Sequence, residues 1–411
     1  MTRKTSTTIS RRRFLGGATA LALTRKLAFA LPQSPEPSPG RILAYVGTYT
    51  ELPGPGSNGH GIELFAADLR TGELTHRGLA APSRNPSWIA VHPSKKYLYA
   101  VNEIANFQGN NGSVSAFALD PSTGALRALN IVSSEGTGPA YLSLDATGNF
   151  AFVANYGGGS IAVLPIREDG ALGDAVDVHR NQGSVGSTHA SDAPAGSFAI
   201  SGHDAPHAHM IAPDPHNRFV LATDLGQDRI YTYGFDRRNG KLTPPPEPAF
   251  AALPTGDGPR HLAFHPNGRW LYSIQEEAST VVFFHYAPAT GHLQPQQTLS
   301  TLPRGFSGTS FASEILVAPN GKTLYAANRL HDTLAVFSIA PEGRLTCIAE
   351  TSTLGDYPAQ CRIDPGGNFL YVCNQRSDHI TSFRIHRDTG LLSFTGHYTP
   401  VGNPGSITFI A

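Results

Sequence analysis

The chain has 411 residues, a formal net charge of zero, 15% charged residues and 40% hydrophobic residues. With no basic field there is nothing to draw in nucleic acid, and with no acidic excess there is no solvating tail. The 43 Gly and 32 Pro fall at turns between apolar runs, which points to β structure rather than disorder, and the three Cys include no zinc-type Cys-x-x-Cys pair.

Ser10-Arg11-Arg12-Arg13-Phe14-Leu15 matches the twin-arginine export pattern, an Arg pair ahead of a modest apolar stretch. That stretch, Phe14 to Leu23, is too short for a membrane anchor and is interrupted by Arg25 and Lys26. Ala28-Phe29-Ala30 offers small residues where a signal peptidase needs them, so cleavage is expected near Ala30. Residues 1–30 therefore read as a signal peptide that engages the twin-arginine export machinery, and the mature protein as periplasmic or secreted. A Pro-rich linker over 31–41 follows. No later segment approaches a run of about 18 apolar residues, so no stable membrane anchor is expected.

From residue 42 to 411 the chain repeats itself. Copies open at Pro86, Pro139, Pro206, Pro259, Ala312, Pro358 and Pro404, in steps of 53, 67, 53, 53, 46 and 46 residues. Each reads as four short strands, the second exemplified by Tyr97-Leu98-Tyr99-Ala100-Val101-Asn102, with a Thr-Gly turn before the fourth. Four strands in about 50 residues is the signature of a β-propeller blade. The last copy ends after one strand, Gly405 to Ile410, while Ile42 to Thr48 reads as a second strand with no first. Pairing these ends gives an all-β, seven-bladed propeller without free sheet edges. The longest step carries a loop, His179 to Ala205, rich in Gly, Ser, Ala and His. Cys361 and Cys373 fall on neighbouring strands; a bridge is geometrically open, and two core thiols are the favoured reading.

Two columns of the repeat should face the central channel. One follows the opening residue: Ser87, Ala140, His207, Arg260, Ser313, Ala359 and Gly405. The other ends the second strand: Tyr49, Glu103, Tyr156, Leu225, Glu276, Arg329 and Gln375. The second is polar or aromatic at nearly every copy, although the strand leading to it is apolar, so core packing does not account for it. These columns place Glu276 and Glu103 among Arg260, Arg329 and His207, with Glu314 nearby. Arginine forks suit a carboxylate or phosphate, and a glutamate beside a histidine can move protons. The competing reading is a wet channel whose charges pair with one another. His92 and His265 read as turn residues, and His209 as a core position sharing a strand face with His207. His179, His189 and His203 lack the spacing and carboxylate support of metal ligands, so neither a metal nor a cofactor is expected. Gly157-Gly158-Gly159 opens a strand rather than a helix, which makes it a turn and not a phosphate loop.

Gly47-Thr48-Tyr49-Thr50, Ala154-Asn155-Tyr156, Pro206-His207-Ala208-His209, Ala222-Thr223-Asp224-Leu225-Gly226-Gln227-Asp228, Gly258-Pro259-Arg260-His261 and Ala327-Asn328-Arg329 together resemble the seven-bladed lactonase family. That family includes propeller-type 6-phosphogluconolactonases and fungal carboxy-muconate cyclases. The resemblance spans residues 42 to 411. It implies a metal-free site at one channel mouth built on the histidines of Pro-His-x-His, two arginines and a glutamate, so Glu276, His207, Arg260 and Arg329 are expected to be catalytic with His209 beside them, while the columns add Glu103, Tyr156 and Glu314 as substrate contacts. The chain departs from the family in having His203-Asp204 where an Arg-Gln pair is common. The expected activity is hydrolysis of a sugar lactone, 6-phosphogluconolactone or an unphosphorylated analogue, with Glu276 activating water and His207 assisting proton transfer. A muconate-type cycloisomerase and a non-enzymatic binding propeller are the alternatives.

Overall fold

The computed structural model describes residues 41–51, 57–199, 202–244 and 249–410. The expected signal peptide, and the linker as far as residue 40, lie outside the described residues; Arg41 already belongs to the first strand, Arg41–Thr48.

Seven antiparallel sheets form the blades, each running outward from an innermost strand. In blade 1 the innermost strand is Pro404–Ile410, from the far end of the chain. It pairs with Arg41–Thr48 in the register Leu43↔Ile410 to Gly47↔Ser406, so the ring closes by the expected exchange of ends. The remaining innermost strands are Trp88–Val91, Pro139–Leu144, Ala208–Pro213, Pro259–Phe264, Phe311–Val317 and Pro358–Ile363, in blades 2 to 7. The one helical element among the described residues is a 3₁₀ turn, Gln375–Ser377. No helix among them is long and apolar enough to cross a membrane.

Apolar residues on the second and third strands of neighbouring blades pack face to face. Tyr272, Phe283, Leu324 and Phe337, for example, share one cluster between blades 5 and 6. A polar stitch recurs at these interfaces. Tyr45, Tyr99, Tyr272 and Tyr325 are buried on second strands, and each donates its hydroxyl to a turn glycine of the next blade: Gly124, Gly170, Gly343 and Gly390, at 2.7–2.9 Å. Each such bond contributes roughly 1 kcal/mol and spares a buried phenol its desolvation cost. His92 and His265 are indeed turn residues, with Nε2 against the carbonyls of Gly148 and Gly321 in the next blade.

Cys361 lies opposite Val372 and Cys373 opposite Gln360, one register step apart. Alternation sends the two thiols to opposite faces of the sheet, into separate cores, and both are free. The long insertion begins later than expected, because His179 belongs to the outer strand Asp177–Arg180 of blade 3. It then passes over blade 4, where Ser187 and Ser191 bond Thr255, and its Ser197–Phe198 segment pairs in parallel with Gly308–Thr309.

Candidate active site

The innermost strands share one irregularity that builds the site. In blades 3, 5 and 7 the ladder breaks at Ala140, Arg260 and Ala359, each the residue after the opening proline. A bulge leaves its extra residue unpaired and re-aims its side chain, so these positions leave the ladder and face the channel. In blade 4 the break falls between Ala208 and Met210, at His209. The expected register of this blade is therefore corrected by two residues: His209, not His207, is the counterpart of Arg260. The backbone agrees, since the His207 carbonyl accepts from Leu225 N just as the Gly258 and Gly138 carbonyls accept from Glu276 N and Tyr156 N. Alignment on Pro206 misleads because blade 4 has Ala208 where its neighbours have the opening proline.

At the channel mouth lies a cavity of about 360 Å³. From the first column Ser87, Ala140, Arg260, Ala359 and Gly405 line it, and His209 joins them. From the second come Tyr49, Glu103, Tyr156, Glu276, Arg329 and Gln375. Leu225 does not; it is buried where Gly202 and Gly258 approach closely.

Glu276 sits where two blades converge. Its Oε2 lies 2.9 Å from Arg260 Nε and 2.6 Å from Arg329 Nη2. The Arg260 contact is an ion pair rather than an aligned hydrogen bond, since Nε–H has no acceptor in line. Backbone carbonyls hold both guanidinium groups in place. Arg260 Nη1 donates to Ser313 O, Arg329 Nε to Phe311 O at 3.2 Å, and Arg329 Nη2 to Ala312 O at 3.3 Å. Burial and the nearby Arg329 lower the pKa of Arg260. For Arg329, burial is again the largest influence and opposes the charge, but Glu276, Tyr357 and Glu277 together more than offset it and the pKa rises.

Glu103 accepts the Tyr49 hydroxyl at 2.9 Å. Desolvation raises its carboxyl pKa above the usual range, even with Arg260 near enough to oppose. His209 moves the other way: burial first, then Arg260, His261 and Arg329, drive it well below the ordinary histidine value. Its Nδ1 is buried without a hydrogen-bond partner among the described residues.

His207 lies outside the cavity lining. Its ring stacks on Tyr156 at 4.4 Å, Nδ1 meets Tyr156 O at 2.8 Å, and Nε2 meets Asp204 Oδ1 at 3.0 Å. Tyr156, on which it stacks, does line the cavity. Glu314 likewise stands behind the wall, bonded at 3.0 Å to Nδ1 of His261, whose ring does line the cavity. His261, Trp88 and Tyr357 are lining residues that the two columns missed. Burial lowers the His261 pKa despite Glu314, and Arg260 Nη1 lies 3.3 Å from its Nε2. Trp88 and His261 both directly follow a first-column residue, so a third column was present in the repeat.

Neither His179, on the outer strand of blade 3, nor His203, in the insertion, lines this cavity: His179 meets Asp177, and buried His203 meets Asp228 at 3.0 Å. Among the described residues no group of three His, Cys, Asp or Glu side chains is placed to hold a metal.

A mouth built of two buried arginines, one shared carboxylate, a desolvated acid and two imidazoles held toward neutrality is equipped for proton transfer and for stabilising negative charge. Known proteins resemble this chain over most of its length, and solved structures among them share its fold. A Bacillus subtilis 6-phosphogluconolactonase is 31% identical over 371 residues, covering 90% of this chain and 99% of the relative. One from Pectobacterium carotovorum is 30% identical, covering 79% and 87%. The solved structure of Pseudomonas aeruginosa periplasmic gluconolactonase superposes with a TM-score of 0.79 at 30% identity, covering 90% and 99%. The family model described as lactonase, 7-bladed beta-propeller, matches residues 43–409, so the chain belongs to the seven-bladed β-propeller lactonase family.

Proposed function

We propose that this channel mouth hydrolyses a sugar lactone of the gluconolactone type. The observation that carries the reading is Glu276 held between Arg260 and Arg329 on the wall of the cavity, with Glu103 on the same wall. Glu276 takes a proton from water as the water oxygen attacks the lactone carbonyl. The charge that develops on the carbonyl oxygen falls beside the two fixed guanidinium groups, which need no reorganisation to receive it. As the carbon–oxygen bond of the ring breaks, the leaving ring oxygen takes a proton from Glu103, whose raised pKa suits it to be an acid. The product is the open hydroxy acid, and exchange with solvent restores both carboxyls.

This assignment moves proton donation from His207 to Glu103, because the His207 ring is committed to Tyr156 and Asp204 outside the cavity. His209, which does line the cavity, orients substrate hydroxyls. The muconate reading needs both arginines as receptors for two carboxylates. Here one carboxylate already engages both, which leaves a single cation in excess.

Relatives named 6-phosphogluconolactonase support the ring chemistry. The twin-arginine pattern of residues 10–15 supports export to the periplasm, and there the unphosphorylated lactone is the better-suited substrate. The test is acid release from gluconolactone and from 6-phosphogluconolactone, with the spontaneous rate subtracted. Turnover of either supports the reading, and the ratio of the two kcat/KM values selects the substrate. No acceleration with either would refute it.

A further inference from the structure

A second cavity, of about 480 Å³, adjoins the first and shares two of its lining residues, Tyr49 and Glu103. The hydrogen-bonded Tyr49–Glu103 pair is thus the partition between them. Beyond it the wall carries a hydrogen-bonded polar array. Arg84 forks onto Glu51, Nε to Oε1 at 2.7 Å and Nη2 to Oε2 at 2.9 Å, and its Nη1 donates to Asn106 Oδ1 at 3.0 Å. All three side chains line the second cavity.

The backbone beneath the array is fixed by Asn85, which is buried with φ at +40°. Its Oδ1 accepts from Thr50 N and Glu51 N at 2.9 and 2.8 Å, and its Nδ2 donates to Glu51 O and Glu103 O at 3.0 and 3.1 Å. One side chain therefore ties Glu51, on the second cavity, to Glu103, on the partition. The backbone beneath the wall is thus set before any ligand arrives, which removes part of the ordering cost of binding, while the Arg84 and Glu51 side chains are about half exposed and reach a ligand from solvent.

Charge decides what the second cavity takes. Its cation, Arg84, is matched by Glu51 in a bidentate pair, so nothing is left over for a phosphate or carboxylate. What the array does offer is alternating donors and acceptors: guanidinium N–H groups, carboxylate oxygens and the Asn106 amide. That pattern suits an uncharged group rich in hydroxyls, each of which both donates and accepts.

We infer that the second cavity is a subsite for a neutral glycosyl substituent, so that the enzyme accepts aldonolactones of disaccharides, with the lactone ring in the first cavity and the sugar across the Tyr49–Glu103 partition. This rests on the lactonase reading above, and binding separates the two. By calorimetry, the protein should bind cellobionate or gentiobionate at least about tenfold more tightly than gluconate, a gain of one or two hydrogen bonds. Arg84→Ala and, separately, Asn106→Ala should bring the preference close to one. In hydrolysis, the kcat/KM ratio of the matching disaccharide lactone to gluconolactone should fall by a similar factor in both variants. Equal binding of all three acids by the parent protein, or a preference that survives both substitutions, overturns the subsite. Absence of lactone turnover alongside a preference lost in both variants would instead remove the lactonase reading and leave the sugar subsite standing.

Discussion

Arg329 Nη2 lies 2.6 Å from Glu276 Oε2, the same oxygen that faces Arg260 Nε at 2.9 Å. One carboxylate thus balances two buried guanidinium groups. Removing it with Glu276→Gln should lower kcat/KM by about 10² or more, the usual range for losing a positioned base. It should also destabilise the fold, because breaking a buried ion pair costs roughly 3–5 kcal/mol. Initial rates and urea unfolding of the same preparation measure both. A variant with parental midpoint and rate would show that neither role is real.

Glu103 sets a pH limit in the opposite sense from an ordinary carboxylate. The proposed working form is the protonated acid, so kcat/KM should hold below its raised folded pKa and fall as pH climbs through it. Glu103→Gln should cost about tenfold or more and abolish that descending limb. The same residue lends stability in full below its unfolded pKa and loses it as pH rises through the folded value. Persistence of an unchanged alkaline limb in the variant would assign the limb to another group.

Asp257 is fully buried, and burial followed by the carboxyl of Asp192 pushes its pKa up to about 10 from the ordinary 3.8. Because the folded value is raised, its contribution to stability is complete below 3.8 and is lost progressively as pH climbs toward 10. Asp257→Asn removes the titration while keeping the shape. The variant should melt a few degrees above the parent at pH 8, a gain of about 1 kcal/mol or more, and no higher than the parent at pH 4. Parallel melting curves at the two pH values would count against this. Asp192 belongs to the long insertion, so protease sensitivity of residues 181–205 should follow the same trend.

Closure of the ring makes a separate prediction. Deleting the chain from Pro404 removes the innermost strand of blade 1 and exposes the edge of Arg41–Thr48 to solvent. An unpaired edge beside an apolar core invites association. The truncated protein should lose its cooperative melt and elute as aggregates on size exclusion. A monomer with the parental Tm would mean that the six intact blades suffice.

Repeat length, strand alternation and the complementary ends were all legible in the sequence, because each reflects local pattern: period-two burial, turn glycines, and an opening copy that lacks the one strand the last copy supplies. The second-strand column was legible for the same reason, and six of its seven members line the cavity. Blade 4 was misread because proline is only a proxy for the bulge. The bulge is decided by pairing across the hairpin, where Ala208 meets Asp224 and Met210 meets Thr223, so His209 took the place assigned to His207. Glu314 was nominated from the repeat, but its pairing with His261 was hidden for a different reason. They meet at 3.0 Å, although they lie 53 residues apart on neighbouring blades, and nothing local to either announces the other. Arg260, Glu276 and Arg329 could be nominated singly from the repeat. Only the convergence of blades 5 and 6 on one axis could bring both arginines to the same oxygen, because an ion pair between blades depends on the ring's geometry and not on any one strand's pattern.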